Sequence, residues 1–258
     1  MKKRPDVREQ LKRIIKTKAE LALLKRSARI TDSCIPALAA ALKKDGVTEK
    51  QLAATIDRNI RKRGARLAFG TIVASGKHSN VVHAKPTRRI VRGLGYADFG
   101  AMWKGYRTDI TVPFVKGEIG AKEQRILDTT LKAYAALTKL PRRGMPCWKM
   151  QDRFDAFLKK RGYATMHSLG HGIGLDIHEL PSLTKIRRSM LRKMGSRKKK
   201  RVLERWKLIK ELRFEPDQVF TIEPGVYAEG VGGCRYENDF IMTRKGPRPI
   251  THSRLLRV

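Results

Sequence analysis

Hydrophobic periodicity along this chain changes from helical spacing to strand-like alternation, and it does so twice. Apolar residues recur at helical spacing in 6–64, and β-branched and aromatic segments with glycine turns follow in 67–115. The same order returns with helical spacing in 121–162 and strand-like segments in 218–246. Helices in such an order can cover one face of an antiparallel sheet. The pattern therefore predicts an α+β fold with helices on one face of a mostly antiparallel sheet.

Proline, glycine and capping residues mark the expected boundaries of these elements. Pro36 predicts a break within an N-terminal helical region that ends near Gly46, because proline removes an amide donor. Thr48 and Gln51 fit a capping box at the start of the next helix. In the sequence WKG, Gly105 suits the left-handed position of a hairpin turn. A strand pair on either side of that turn is therefore expected.

The segment HSLGHGIGLDIHELP, from His167 to Pro181, holds three of the six histidines of the chain. Glycines beside His171 predict a backbone that passes close to a neighbouring segment. His171 and His178 are an odd number of residues apart, so one regular strand would point them to opposite faces. That spacing fits poorly with a metal cage made of histidines alone. Any metal at His171 requires ligands from elsewhere in the chain.

Acidic residues occur inside strand-like apolar sequence in both halves of the chain. Asp98 and Asp109 flank the predicted turn, which places them near each other on facing strands. Glu223 in FTIEPG and Glu237 in CRYEND occupy comparable places in the later segments. Aspartate is disfavoured in strands, and four carboxylates in one dry site would repel and stay partly protonated. Divalent cations would remove the conflict, since each carboxylate can bind one metal or bridge two.

With His171, the set becomes four carboxylates and one imidazole. An oxygen-rich set of this kind favours Mn, Co or Fe over a thiolate-bound Zn site. Two metal ions a short distance apart would hold a bridging hydroxide as nucleophile and polarise a carbonyl group. The residues therefore predict a hydrolase with two divalent metal ions, Mn or Co in the first place and Fe or Zn as the alternatives.

Several segments resemble the signature segments of the pita-bread metallopeptidase family, which includes methionine aminopeptidase, aminopeptidase P, prolidase and creatinase. The segments are DFGAMWKGYRTDIT, GHGIGLDIHELP, FTIEPGVY and GGCRYEND. The second to the fourth are more similar to the aminopeptidase P and prolidase branch than to methionine aminopeptidase. The resemblance implies a pseudo-twofold, mostly antiparallel curved sheet with helices on its outer face. It runs from about the first helix to the end, which implies one catalytic domain over residues 1–258.

The resemblance also implies which residues bind metal. Asp98 and Asp109 would be the aspartate ligands, and Asp109 would bridge the two ions. His171 would bind one ion, and Glu237 would bridge. Glu223 would bind metal and act as general base toward the nucleophilic water.

A second group of residues matches the substrate side of the same family. His178, in IHELP, would contact the substrate and steady the tetrahedral intermediate. His83, in NVVHAKP, would lie near the scissile bond, and His167 matches the extra histidine of the branch. Arg235 and Tyr227 match a substrate-side arginine and tyrosine of the aminopeptidase P branch.

Structural alternatives remain open for three of these residues. Arg235 could be a cross-strand partner of Glu237 instead of a substrate contact. Tyr227 could be a buried aromatic residue with a bonded hydroxyl group. His83 could be a surface histidine or a hydrogen-bonded core histidine.

The predicted function is removal of an N-terminal residue from a peptide substrate, ahead of proline. One alternative is a methionine aminopeptidase, and another is a non-enzymatic protein of the same fold that binds RNA or ribosomes. Non-enzymatic relatives usually lose ligands, whereas the full ligand set is present here, which favours the enzyme. The sequence differs from the family pattern at Asn238, where an aspartate is expected. The Xaa-Pro peptidases also usually have a separate N-terminal domain before the catalytic one. Peptide length preference and oligomeric state are left open.

The chain is strongly basic, with 58 Lys+Arg against 24 Asp+Glu and a net charge of +34. The densest part is an insert at about 184–213, in which Lys185 to Arg213 hold fourteen basic residues against Glu204 and Glu211. It lengthens the spacing between His178 and Glu223 beyond what the family leads us to expect. Either a solvated charged helix pair or an arm that orders on nucleic acid or a ribosome would explain it. It could also gate substrate entry, because it directly follows HELP.

Cysteine usage and hydropathy bear on the compartment. The three cysteines, Cys34, Cys147 and Cys234, are odd in number and form no CxxC pair, which favours reduced thiols. No apolar run is long enough to span a bilayer, and the basic N-terminal segment is not followed by an apolar signal core. A cytoplasmic protein without a membrane partner is therefore expected.

Overall fold

The computed structural model describes residues 6–186, 191–192 and 194–258. Among them, helices occupy both the N-terminal region and the middle of the chain. The helices are α1 (Val7–Lys12), α2 (Lys18–Asp32), α3 (Ile35–Leu42), α4 (Glu49–Lys62), α5 (Ala121–Leu137), α6 (Lys149–Lys159) and α7 (Ser196–Ile209), with a short 3-10 helix at Gly76–Asn80.

Strands follow each helical region, as the periodicity predicts. In the first half they are β1 (Arg66–Leu67), β2 (Ile72–Ser75), β3 (Gly93–Phe99), β4 (Ala101–Trp103), β5 (Tyr106–Arg107) and β6 (Ile110–Lys116). In the second half they are β7 (His171–Gly172), β8 (Glu179–Ser182), β9 (Val219–Ile222), β10 (Gly225–Ala228), β11 (Gly232–Arg235), β12 (Asn238–Thr243), β13 (Gly246–Pro249) and β14 (Leu256–Arg257).

Local capping explains where two helices begin. The hydroxyl of Thr48 accepts from the amide of Gln51, and the Gln51 side chain accepts from the amide of Thr48. This is the predicted capping box of α4, and Thr17 and Glu20 form a second one at the start of α2. Each box satisfies amide groups that have no partner inside the helix.

The N-terminal helical region is divided at more places than Pro36 alone predicts. Pro36 lies in the first turn of α3, where the missing amide costs nothing, and α2 ends just before it at Asp32. A further break separates α1 from α2. Gly46 lies beyond the end of α3 in a turn with a φ of 64°, so it does not directly cap the helix.

Two larger sheets carry the fold. One is a four-stranded sheet in the order β14-β6-β3-β2, and the other is a five-stranded sheet in the order β13-β12-β9-β7-β8. All neighbours pair antiparallel except β14 and β6, which are parallel. A bridge between Thr111 and Glu237 connects the two sheets. The predicted α+β architecture with mostly antiparallel pairing is confirmed.

Each sheet has its own helical cover. Leu38 and Ile56, on α3 and α4, are buried in one core cluster with Phe114 of the four-stranded sheet. In a second cluster, Phe154 of α6 packs with Phe220 and other residues of the five-stranded sheet. Burial of these apolar side chains is the main stabilising contribution of helix–sheet packing.

The basic insert contains helix α7, so its described part is partly helical. Residues 187–190 and 193, also within the predicted insert, lie outside the described residues. Val202, Trp206 and Ile209 form the inward stripe of α7, and Trp206 meets Trp148 edge-on with ring centroids 6.4 Å apart. Among the helices that the structure describes, none is long and apolar enough to cross a membrane.

Candidate active site

The predicted metal ligands and most of the predicted substrate-side residues line one cavity of about 440 Å³ between the two sheets. Ligand positions fall within strands or directly at their ends. The lining includes Asp98, Asp109, His171, Glu223, Glu237, His83, His167, His178 and Arg235.

The two aspartates come together through the register of β3 and β6. Asp98 pairs with Thr111, so Asp109, which precedes β6, lies diagonal to Asp98 on the same face. The sequence predicts that the two carboxylates lie close together, but it also predicts a single hairpin between them, and the chain takes a longer path. Between β3 and β6 the chain forms β4 and β5, which belong to a separate three-stranded sheet. The turn of that inner hairpin is Lys104–Gly105, with φ values of 49° and 89°.

The glycines around His171 are required by close backbone packing, as the sequence predicts. A Cβ atom on Gly170 would lie 2.1 Å from the carbonyl oxygen of Thr221. A Cβ atom on Gly172 would lie 2.2 Å from the carbonyl oxygen of Leu180. Neither position can hold a side chain without moving backbone. His171 is therefore fixed where β7 lies between β8 and β9.

The imidazole of His171 is oriented for coordination through one nitrogen. Its Nδ1 lies 3.1 Å from the carbonyl oxygen of Gly172, which can only accept, so Nδ1 carries the proton. Nε2 is then the lone-pair nitrogen, and it lies 3.7 Å from Asp109 Oδ2 and 3.5 Å from Glu223 Oε1. Ligand atoms of Asp109, His171 and Glu237 all lie within 4.8 Å of one another. This arrangement can hold a divalent cation.

Unpartnered oxygens indicate that the carboxylates fit a cation. One buried oxygen of each of Asp98, Asp109 and Glu237 has no hydrogen-bond partner among the described residues. Burial and the Asp98 charge raise the pKa of Glu237 to about 8. Burial, followed by the charge of Glu237, also raises the pKa values of Asp109 and Glu223. Bound cations would favour the ionised forms and supply the missing partners.

Glu223 is placed at the end of β9, where its amide donates to the carbonyl oxygen of Leu169 at 2.8 Å. Its carboxylate faces two imidazoles, since Oε1 lies near His171 and Oε2 lies 3.5 Å from His167 Nδ1. The Glu223 carboxylate thus lies close to both His171, a predicted ligand, and His167.

Arg235 lines the cavity, and its contact with the substrate stays a prediction. It is 2% exposed, and its guanidinium donates to Asp98 of β3 and does not pair with Glu237. Further donations reach the hydroxyl of Thr111 at 3.0 Å and the hydroxyl of Tyr227 at 2.7 Å. The hypothesis that Arg235 pairs with Glu237 is therefore wrong. Its ionic partner is Asp98, a predicted metal ligand.

Tyr227 is 7% exposed and is not among the residues that line the cavity. Its hydroxyl accepts from Arg235 and lies 3.0 Å from His167 Nε2. His167 Nδ1 lies 2.8 Å from the carbonyl oxygen of Ser168, so Nδ1 carries the proton and Nε2 accepts from Tyr227. Burial, followed by the charge of Arg235, lowers the pKa of His167 to about 3. A neutral imidazole with one fixed tautomer results.

His83 and His178 are exposed at the mouth of the cavity. The ring of His178 meets that of His171 edge-on, with centroids 4.3 Å apart. The two residues are not on one strand, since β7 ends at Gly172 and β8 begins at Glu179. The assumption that one regular strand carries both histidines is therefore wrong, because the chain turns back between them.

Two residues that the sequence did not single out support the ligands. Asp239 is fully buried, and its Oδ2 accepts from the amide of Asp109 at 3.0 Å. Thr111 accepts from Arg235 and donates to Glu237 Oε2 at 2.7 Å. An aspartate inside a strand-like segment is unusual, so this signal could have identified Asp239. Threonine is common in strands, so the sequence carries no signal for Thr111.

Comparison with known proteins places these features in a family. The profile of metallopeptidase family M24 matches residues 22–244. The Xaa-Pro dipeptidase of Pyrococcus furiosus is 31% identical over 255 residues, which cover 97% of this chain and 66% of that protein. The chain covers 61–66% of the lengths of the first curated relatives it matches.

Solved structures show the same similarity. The Xaa-Pro dipeptidase from Bacillus anthracis superposes with a TM-score of 0.83 at 30% identity, over 97% of this chain and 66% of that one. The X-Pro aminopeptidase from Thermotoga maritima superposes with a TM-score of 0.82 at 29% identity, over 98% of this chain and 67% of that one. The expected pita-bread fold is confirmed.

Proposed function

Since the chain belongs to metallopeptidase family M24, we propose that it hydrolyses the N-terminal peptide bond of peptides, with preference for Xaa-Pro substrates. The observation that carries this proposal is the convergence of four carboxylates and His171 on one cavity, with buried carboxylate oxygens that lack partners. An active site of this kind needs both a cation and a positioned base, and the cavity offers residues for both.

The residues that would hold two divalent ions are Asp98, Asp109, His171, Glu223 and Glu237. When bound, such ions supply Lewis-acid polarisation of a carbonyl group and lower the pKa of water. Mn or Co fits the donor set best, with Fe or Zn as the alternatives, because the donors are mainly carboxylate oxygens. The expected cytoplasmic location is supported by three free, buried cysteines.

Glu223 would accept the proton of the attacking water, since its carboxylate lies between His171 and His167. His167 is neutral, and its two ring nitrogens are engaged by the carbonyl oxygen of Ser168 and the hydroxyl of Tyr227, so it would act as a fixed wall beside Glu223 and not as a proton donor. His178 and His83 lie at the mouth, where they can donate to the substrate carbonyl oxygen as charge develops.

Preference for proline is supported by the names of the similar proteins, which include Xaa-Pro dipeptidases and an X-Pro aminopeptidase. The second possibility is a methionine aminopeptidase. These alternatives differ only in the side chains that the cavity accepts, so they require a direct comparison of substrates.

The decisive experiment removes metal and restores it. Protein treated with a chelator should be inactive and should regain activity with Mn or Co, compared side by side with Fe and Zn. Activity should be greater on an Xaa-Pro dipeptide or tripeptide than on Met-Ala. Chelator-insensitive cleavage would contradict the metal assignment, and preference for Met-Ala would select the aminopeptidase alternative.

Nucleic acid or ribosome contact through the basic insert is a second candidate function, favoured by one feature of α7. Within this helix, seven exposed cations stand against Glu204, and the apolar stripe faces inward. Trp206 holds the helix against the segment before α6, and one backbone hydrogen bond from Cys147 to Leu212, just after the helix, adds to this contact. An anchored cationic helix can neutralise several phosphates.

Replacing Arg197, Lys198, Lys199 and Lys200 by Gln should weaken RNA binding and reduce its dependence on salt. Gln at Arg58, Arg61, Lys62 and Arg63 is the control, since it removes an equal charge from an exposed face of α4 and its C-terminal cap. Equal losses in both variants would indicate only a general charge effect. A changed KM for peptides would instead support gating of substrate entry by the insert.

A further inference from the structure

A cluster of ionic side chains lies directly behind His178 and outside the cavity. Glu179 follows His178 and is the first residue of β8. Its side chain is 1% exposed, and its Oε2 lies 2.8 Å from Nζ of Lys16, whose side chain is 2% exposed. Arg13 reaches Glu179 Oε1 at 3.2 Å and Asp176 Oδ2 at 2.8 Å. We use the term anchor cluster for Arg13, Lys16, Asp176 and Glu179.

The anchor cluster fixes the loop that carries His178 at several points. The amide of Asp176 donates to Glu179 Oε1 at 3.0 Å, and the amide of Gly174 donates to the carbonyl oxygen of Asp176 at 3.2 Å. A Cβ atom on Gly174 would lie 2.6 Å from Glu179 Oε2 and 2.9 Å from Lys16 Nζ. A side chain at this position would therefore displace the ion pair from its present geometry.

Burial makes the Lys16–Glu179 pair poor evidence for stability alone. Desolvation of two charges offsets much of their attraction, and apolar replacements are often neutral or stabilising. What the pair does supply is one defined geometry, because Lys16 also donates to the carbonyl oxygen of Arg13 at 2.6 Å. The direct consequence is that residues 173–179 are tied to the segment between α1 and α2.

From this arrangement we infer that Lys16 and Glu179 are positioning residues for His178, which hold its ring at the cavity mouth in the orientation that catalysis requires. Glu179 directly follows His178, so the bonds that hold the Glu179 side chain also fix the backbone from which the His178 ring projects. The two cations lie before residue 22, where the family match begins. The inference rests on the proposed peptidase function for its kinetic tests.

The first test compares Lys16→Met with Lys18→Met, which removes the same charge from an exposed position two residues away. Lys16→Met should lower kcat roughly tenfold or more, since a small misplacement of a catalytic group is costly. KM and metal content should stay near wild type, and Lys18→Met should change none of these values. A change in KM or metal content with unchanged kcat would overturn the inference.

A variant with both charges removed separates positioning from stability. In Lys16→Met/Glu179→Leu, the buried carboxylate that lost Lys16 and kept only Arg13 as its cation is gone, so the melting temperature should return toward that of wild type. The kcat value should stay low, because the bond from the Asp176 amide has lost its acceptor. Recovery of kcat together with the melting temperature would overturn the positioning role.

Coupling to His178 provides the readout that a purely structural role would not change. If Lys16 acts through His178, Lys16→Met should have almost no further effect on kcat in a His178→Ala background. Independent, multiplicative effects of the two substitutions would contradict the inference.

A measurement without substrate keeps this inference distinct from the proposed function. Hydrogen–deuterium exchange in 173–179 should be faster in Lys16→Met than in Lys18→Met or wild type. Unchanged exchange would overturn the anchor role. A wild-type protein that cleaves no peptide with any metal would contradict the proposed function and leave the exchange result to decide the anchor cluster alone.

Discussion

The guanidinium group of Arg235, the last residue of β11, donates to the carboxylate of Asp98 on β3. Arg235 thus orients one predicted metal ligand, while its other donations reach Thr111 and Tyr227. A residue matched by its sequence context to the substrate side therefore also holds a predicted ligand, and its substitution should act on metal binding.

Arg235→Lys should weaken metal binding by about 10- to 100-fold, as is usual when a group that orients a ligand is changed. Lysine keeps the charge but cannot reach Asp98, Thr111 and Tyr227 together. Metal titration followed by dialysis and elemental analysis measures the effect, with Arg244→Lys as an exposed control. Unchanged metal affinity with a raised KM would show that Arg235 serves the substrate.

Glu223→Gln should lower kcat by about 10²- to 10⁴-fold, because it removes the proposed base and one negative ligand. The amide retains the shape of the side chain and removes a buried carboxyl group whose pKa is raised, so the metal-free variant should be at least as stable as wild type. Steady-state kinetics at saturating metal gives the result. Turnover within a few-fold of wild type would place the base elsewhere.

His178→Ala and His171→Ala should separate substrate contact from metal binding. His178→Ala should keep its metal and lose roughly 100-fold in kcat, since the proposed contact forms as charge develops on the substrate oxygen. His171→Ala should lose metal, because Nε2 faces Asp109 and Glu223. Equal metal loss in both variants would mean that His178 is a ligand.

The metal-free protein should become less stable as the pH rises from about 5 to 8. The pKa of Glu237 is raised to about 8 in the folded state, so its stabilising contribution is present below the unfolded pKa and is lost as pH rises through the folded one. The raised pKa values of Asp109 and Glu223 act in the same direction. Metal should stabilise the protein most at the upper end of this range, since ligands bind in their ionised forms.

Thermal unfolding at several pH values, with chelator and with Mn, measures this prediction. The difference in melting temperature between the chelator and Mn samples should be followed against pH, because titrating groups elsewhere contribute equally to both samples. A metal-induced shift in melting temperature that does not depend on pH would contradict it.

Local signals made much of the fold predictable from the sequence. The capping box at Thr48 and Gln51 and the break at Pro36 depend on residues close together in the chain, and both appear in the structure. Separation of β4 and β5 into their own sheet was missed. That arrangement depends on long-range pairing of β4 with β1, which periodicity does not encode.

The candidate site was also predictable only in part. Ligand candidates were found because a charged residue in an apolar strand is unusual. The partners of those candidates are not predictable where they lie far apart in the sequence, as for Asp98 and Arg235, which are 137 positions apart. Asp239 was overlooked beside Asn238 and Glu237, because the amide it accepts from belongs to Asp109 in the other half of the chain.

The ligand candidates are divided between the two sheets, with Asp98 and Asp109 on one side and His171, Glu223 and Glu237 on the other. Ions shared across this junction would tie together parts of the chain that are remote in sequence. Without metal, the junction would rely on direct bonds such as those of Asp109 with Asp239 and of Thr111 with Glu237, so it should open more readily, and proteases act on such locally opened states. In a cell, the supply of metal would then set the lifetime of the chain as well as its activity.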